Sequence, residues 1–132
     1  MSEGGAGARR RVEVQLLTSP DLPDMDERAP DDPTDFCILV QALVGLEGEE
    51  GADTFDFLVC TPNRVAGLIP DGGVLPGRTY LFVHRYDYAT IRGAIQSFCD
   101  RASVGRDWRA VAQILARWGR WEYEDAVDAG EL

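Results

Sequence analysis

The 132-residue chain contains no lysine, so its thirteen basic residues are all arginine, and it has one histidine and three cysteines. No apolar run approaches the 18 residues that suggest a membrane-spanning helix, so none is predicted. The N-terminal arginines precede no apolar segment, which argues against a secretory signal. The cysteines, Cys37, Cys60 and Cys99, stand at unpatterned positions within apolar runs. They are interpreted as reduced core thiols of a cytosolic protein.

Catalytic and metal-binding patterns are also scarce. A serine or cysteine nucleophile normally needs a nearby base, most often histidine, and His84 follows the apolar stretch Leu81–Val83. We interpret His84 as structural; a small enzyme that uses His84 with acidic partners is the alternative. One histidine and scattered cysteines offer no close pair of zinc ligands. Asp24–Asp26 begins like a calcium loop, but the glycine that such a loop needs is missing. No catalytic, cofactor-binding or metal-binding residue is predicted, and the protein is not expected to be an enzyme.

What the chain has in excess is negative charge, with a formal net charge of −10. Residues 12–56 contain thirteen carboxylates and one base, whereas residues 57–121 contain nine arginines and four carboxylates. This acidity argues against nucleic acid and anionic membranes as partners, because both attract cations. It suits a basic protein partner, since opposite potentials speed encounter. The alternative is that the charge serves only solubility. The arginines of the second half are a possible internal counterpart to the acids of the first.

Strand patterns dominate the first half of the chain and helix patterns the second. In the first strand Val12, Val14 and Leu16 are expected on one face. Asp87 and Asp107 are expected to cap two amphipathic helices. Segregation of this kind predicts an α+β fold: a mainly antiparallel sheet of four to five strands, with two main C-terminal helices packed on one face. The predicted strands are 11–16, 36–46, 54–61, 80–84 and a short one near Trp121; a short helix is expected at Pro62.

The chain is long enough for one hydrophobic core. We expect a flexible N-terminal arm at residues 1–10, a single domain at residues 11–125 and an acidic tail at residues 126–132. Residues 19–35 hold four prolines and seven acids and predict an irregular loop. The acidic residues 47–53 are expected to connect two strands as a hairpin.

Three stretches follow one another along the chain: Phe57–Pro62, Gly77–Val83 followed by Tyr86–Tyr88, and Trp118–Asp125 preceded by Trp108. Taken in this order, they resemble the immunity protein 8 family of bacterial polymorphic toxin systems. The acidic residues 47–53 before these stretches also match the family pattern. The order and spacing of the motifs match it from about Arg11 to Asp125. Arg64 and Val65 depart from the family pattern, which usually has a Trp-Leu pair there. The arginines at positions 9–11 look like an addition.

The resemblance implies an immunity protein that binds and neutralises a cognate toxin, often a nuclease, in the cytoplasm of the toxin producer and its kin. It provides no catalytic residue to transfer. No cofactor is predicted, and from the charge neither nucleic acid nor a membrane is expected as a partner. An acidic adaptor of an unrelated complex is the alternative of a different class. A nuclease presents cations where it holds phosphate, so its inhibitor is expected to meet it with acids.

Charge density therefore selects two segments as the candidate toxin-binding surface. We call residues 21–35 the acidic loop and residues 47–53 the acidic turn. The candidate carboxylates are Asp21, Asp24, Asp26, Glu27, Asp31, Asp32, Asp35, Glu47, Glu49, Glu50 and Asp53.

Overall fold

A computed structural model of the chain describes residues 10–128 and 130. Its elements are β1 (Val12–Thr18), β2 (Cys37–Leu46), β3 (Asp53–Cys60), α1 (Pro62–Ala66), β4 (Tyr80–Phe82), α2 (Tyr88–Ala102), α3 (Trp108–Leu115), β5 (Arg120–Trp121) and α4 (Glu124–Asp128). The predicted α+β fold is confirmed. Most of the predicted N-terminal arm lies outside the described residues, which include only Arg10 of it. The predicted acidic tail begins inside α4.

The strands form one sheet in the order β1-β2-β3-β4, and β5 also pairs with β3. All pairings are antiparallel except that of β3 with β4. Alternate residues of β2 and β3 enter the core, and Val40, Phe55 and Val59 are completely inaccessible. The same core cluster contains Ile95 of α2 and Leu115 of α3. Because strand side chains alternate, the other half of each strand points away from these helices.

A bulge in β1 changes which leucine enters the core. The pairing register of β1 with β2 shifts between Val14 and Leu16. Leu16 is 51% exposed, whereas Leu17 is 4% exposed and belongs to the core. The expectation that Leu16 shares a face with Val12 and Val14 is therefore wrong. One extra residue in a strand reverses the inward and outward alternation after it.

The outer edge of β1 is closed by side chains of α2. The amide of Gln96 donates to the Val12 carbonyl at 2.9 Å and accepts from the Val14 N–H at 3.0 Å. Arg92 donates to the Val14 carbonyl at 3.0 Å. An open strand edge invites pairing with other chains, and these contacts occupy three backbone groups at the start of β1.

The predicted hairpin and helix caps are confirmed. Residues after β2 turn back into β3 through Gly48 and Gly51, whose φ angles of 76° and 92° favour glycine. Asp87 accepts from the Ala89 N–H at 3.1 Å, and Asp107 accepts from the Ala110 N–H at 2.8 Å.

The cysteine prediction is only partly right. Cys37 and Cys60 stand directly opposite each other on β2 and β3, and a disulfide joins them. The expectation of three reduced thiols is therefore wrong for this pair, because strand register brings together two residues that their sequence spacing does not connect. Cys99 is free and buried, as expected, and burial raises the pKa of its thiol to about 12.

Close packing between Gly119 and β3 yields a stability prediction. A Cβ atom at Gly119 would lie 2.5 Å from the Phe57 ring, whereas one at Gly93 of α2 meets nothing within 4 Å. We expect Gly119→Ala to lower the free energy of unfolding by about 1–3 kcal/mol through overpacking. Gly93→Ala is the control and should raise it by about 0.5–1 kcal/mol through helix propensity. Urea denaturation measures both changes, and equal effects would contradict the packing argument.

Candidate functional site

The acidic turn is anchored by Asp53, the first residue of β3. One carboxylate oxygen, Oδ2, accepts from Trp108 Nε1 at 2.6 Å and from Trp121 Nε1 at 2.9 Å. These indoles belong to α3 and β5, so a single carboxylate ties three elements together. Asp53 therefore has a structural role, and its predicted contact with a toxin stays a prediction.

The other acids of the turn are exposed. Glu49 lies 3.7 Å from the Arg10 guanidinium, an ion pair in solvent that contributes little to stability. The carboxylates of Glu47 and Glu50 make no hydrogen bond or ion pair within the described part of the chain. Glu49, Glu50 and Trp108 line a cleft of about 250 Å³ beside the turn. Two of the four candidate acids here thus remain available to a partner.

Four acids of the acidic loop are held by contacts within the protein. Asp21 accepts from the Leu39 N–H at 2.8 Å and so covers β2 beyond the end of β1. Asp32 accepts from the backbone N–H and the hydroxyl of Thr34, and these bonds lower the pKa of its carboxyl. The other two acids form ion pairs: Asp35 with Arg64 at 3.0 Å and Asp24 with Arg28 at 4.0 Å.

Arg64 occupies a position where the family pattern usually has tryptophan. In this chain Arg64 binds Asp35 of the acidic loop. The arginines of the second half thus pair only in part with the acids of the first half. Arg64 pairs with the acidic loop, while Arg78 and Arg120 pair with Glu124 and Asp125 of α4 at 2.6 and 2.7 Å.

The acidic loop is fixed to the core by apolar side chains. Leu22 and Met25 are buried, and the Tyr86 hydroxyl donates to the Met25 carbonyl. The Tyr86 ring meets Phe36 edge-on, with centroids 5.7 Å apart. Burial raises the pKa of Tyr86 to about 12, so the hydroxyl keeps its proton at neutral pH and remains a donor. The loop thus presents its acids from a fixed backbone.

Three carboxylates of this loop, Asp26, Glu27 and Asp31, are exposed and make no hydrogen bond or ion pair to any described residue. The acidic loop leads into β2, and the acidic turn follows its other end. Since β2 has ten residues and a strand rises about 3.3 Å per residue, the two segments lie roughly 30 Å apart. The structure therefore does not bring the predicted site residues into one cluster.

Between the two acidic segments lies the sheet face that points away from α2 and α3; we call it the open face. None of its residues belongs to the core cluster or packs against it, as far as the described residues show. Leu16 and Phe82 are 51% and 56% exposed. By strand register the open face includes Leu16, Thr18, Leu39, Gln41, Leu43, Thr54, Asp56, Leu58, Tyr80, Phe82 and Arg120, and the disulfide pair Cys37 and Cys60 lies in the same row as Phe82. Charge density does not identify this surface. The alternation of residues in β1 does not predict that Leu16 lies on it, because the bulge shifts the register before Leu16.

The groups considered for catalysis are not assembled into a site. His84 is exposed and makes no hydrogen bond or ion pair to a described residue, and Cys60 is held in the disulfide. Among residues 10–128 and 130, no group of three or more His, Cys, Asp or Glu side chains is placed to hold a metal ion. No helix in this part of the chain is long and apolar enough to cross a membrane.

The described residues thus define a small α+β protein with acidic segments at both ends of one strand. The sequence model of the family Immunity protein 8 matches residues 12–126, and the chain belongs to this family. The resemblance drawn from the sequence motifs is confirmed. Membership indicates an immunity protein of a toxin system, a class that acts by binding a cognate toxin. No curated protein and no solved structure matches the chain.

The shared carboxylate of Asp53 generates a testable prediction. Asp53→Ala removes the acceptor of two part-buried indole N–H groups, and an unsatisfied buried donor costs about 1–3 kcal/mol. We expect a loss of unfolding free energy of that size in urea denaturation. Glu50→Ala, in the same turn, is the control and should change stability by less than about 0.5 kcal/mol. Equal stability of the two variants would show that the indole contacts do not hold the turn.

Proposed function

We propose that this chain is a cytoplasmic immunity protein that neutralises a cognate polymorphic toxin with a basic, nuclease-type surface by non-catalytic binding. Family membership supports the class of protein. The observation that carries the finer proposal is the set of five exposed candidate acids whose carboxylates make no hydrogen bond or ion pair to a described residue. They are Asp26, Glu27 and Asp31 of the acidic loop and Glu47 and Glu50 of the acidic turn.

Free and paired acids contribute differently to such a complex. An acid paired with an arginine has its charge partly neutralised and attracts a basic partner less strongly. An unpaired, exposed carboxylate keeps its full field in solution, and that field attracts a basic surface before contact. Surface charges of this kind mainly set the association rate and its dependence on salt. The five free acids are therefore the proposed steering residues.

The role as an immunity protein is tested with the toxin domain encoded by the gene directly upstream of this one. Cells that express this domain alone should stop growing, and co-expression of the full chain should restore growth. His84→Ala should protect as well as the wild type, since binding does not use a general base. Loss of protection in that variant with unchanged folding would favour the alternative hypothesis of a small enzyme that uses His84. Failure of the wild-type chain to protect would refute the proposal itself.

The steering residues are tested by charge reversal. We expect the double variants Asp26→Arg/Asp31→Arg and Glu47→Arg/Glu50→Arg to slow association with the toxin domain by about tenfold or more at low salt. Both should also flatten the dependence of the rate on ionic strength, which stopped-flow fluorescence measures. Asp71→Arg, in the exposed loop before β4, is the single-charge control. Unchanged rates in both double variants would contradict the proposed role of the acids.

A further inference from the structure

We infer that the open face is the central contact surface for the toxin and that an arginine or lysine of the toxin binds Asp56 at its middle. This inference rests on the proposed function and deepens it, because it places the toxin across the sheet between the two acidic segments. It assigns the main contact to residues that charge density does not select.

Strand register arranges the open face in rows that cross the sheet. One row runs through Leu16, Leu43 and Thr54, and a second through Leu39, Leu58 and Tyr80. Between them lies a polar row of Thr18, Gln41, Asp56 and Arg120. The face thus has apolar rows on both sides of a polar row, and Asp56 is the one carboxylate in the three rows.

Asp56 supplies the independent observation that points to a ligand. Its Oδ1 atom is buried and has no hydrogen-bond partner in the structure, the single side-chain atom of this kind among the described residues. A buried acceptor without a donor is costly. Arg120 stands beside Asp56 in the register, but its guanidinium binds Asp125 at 2.7 Å. The carboxylate therefore lacks the donor that a basic side chain of a partner would bring.

The carboxylate is reachable although this one oxygen is covered. Asp56 as a whole is part-buried and not enclosed, so part of the residue stays accessible. A guanidinium or ammonium group that arrives above the polar row can therefore approach the Asp56 side chain from the open face. A charge-assisted hydrogen bond formed there, among apolar neighbours, is stronger than one at an exposed rim.

The area of the surface connects the open face with both acidic segments. Four strands about 4.8 Å apart and a ten-residue strand give a face of roughly 30 by 15 Å. That falls short of the roughly 800 Å² per partner of a standard protein interface. A toxin reaches that size when its contact extends over the acidic loop at one end and the acidic turn at the other. The free acids then form the polar rim of one interface.

Charge selects the toxin over a second copy of this chain as the occupant. The chain carries a net charge of −10, and a symmetric dimer presents the same patch on both subunits. Two open faces in contact would also bring Asp56 and the free acids of both copies into one interface. A basic protein partner is complementary at the centre and at both ends.

The test compares charge insertions of equal size on and off the open face. Leu16→Arg and Thr18→Arg place a cation on exposed positions of β1, and Val104→Arg is the control, since Val104 is 68% exposed after α2. Affinity for the toxin domain of the upstream gene is measured by titration calorimetry. We expect the two β1 variants to lose at least about tenfold in affinity and Val104→Arg to stay within about twofold. Asp56→Asn should weaken binding by about tenfold, with Asp71→Asn as its control.

The outcomes separate this inference from the proposed function. Wild-type chain that neither binds nor protects against the toxin refutes the proposed function. Wild-type binding together with near-wild-type affinity in Leu16→Arg, Thr18→Arg and Asp56→Asn overturns the inference and leaves the proposed function standing. Circular dichroism and thermal melting show which variants are folded. If only one of the two β1 variants folds, that variant alone is enough for the affinity test. Sedimentation of the chain alone is the remaining readout: a dimer that Leu16→Arg dissociates would show that a second copy covers the face and would also overturn the inference.

Discussion

The two long helices pack on one face of the sheet, and most features of this protein depend on that arrangement. Side chains of a strand alternate between the two faces. Each strand therefore gives half of its residues to the core, where Val40, Phe55 and Val59 lie, and half to the opposite face. Gln96 and Arg92 belong to one of these helices, α2, and their side chains bind the edge of β1. The helices thus determine both what is buried and which surface is left for a partner.

Net charge alone is a poor guide to which acids face a partner, because many acids build the fold. Six of the eleven candidates make contacts within the chain, and they include Asp21 on the β2 backbone and Asp53 between two indoles. Asp21 and Asp53 hold the acidic loop and the acidic turn in place, whereas the exposed ion pairs of Asp24 and Glu49 contribute little. The five free acids take their positions from this scaffold. A site of this kind therefore needs both sets: one that fixes the backbone and one that remains charged and open.

Local patterns predicted much of the fold, and contacts between distant residues accounted for the errors. Asp87 and Asp107 were identifiable as caps, since each bonds an N–H within three residues. The inward face of β3 was also predictable, because its alternation is unbroken. The bulge before Leu16, the Cys37–Cys60 pair and the indole contacts of Asp53 depend on register and on packing between elements. A linear sequence does not display these, and for the same reason the orphaned oxygen of Asp56 was invisible to charge counting.

The placement of the acids also addresses a hazard of the open face. A sheet surface with exposed Leu16 and Phe82 favours self-association, and wide uncovered surfaces of this type are usually guarded by charge or by a blocked edge. Here Gln96 blocks the edge of β1, and acids stand at both ends of β2. Two copies would repel each other at these ends, whereas a toxin with the proposed basic surface would be attracted by them. On this proposal one charge distribution serves two purposes: it opposes pairing of two copies of the chain, and it favours a partner of opposite charge.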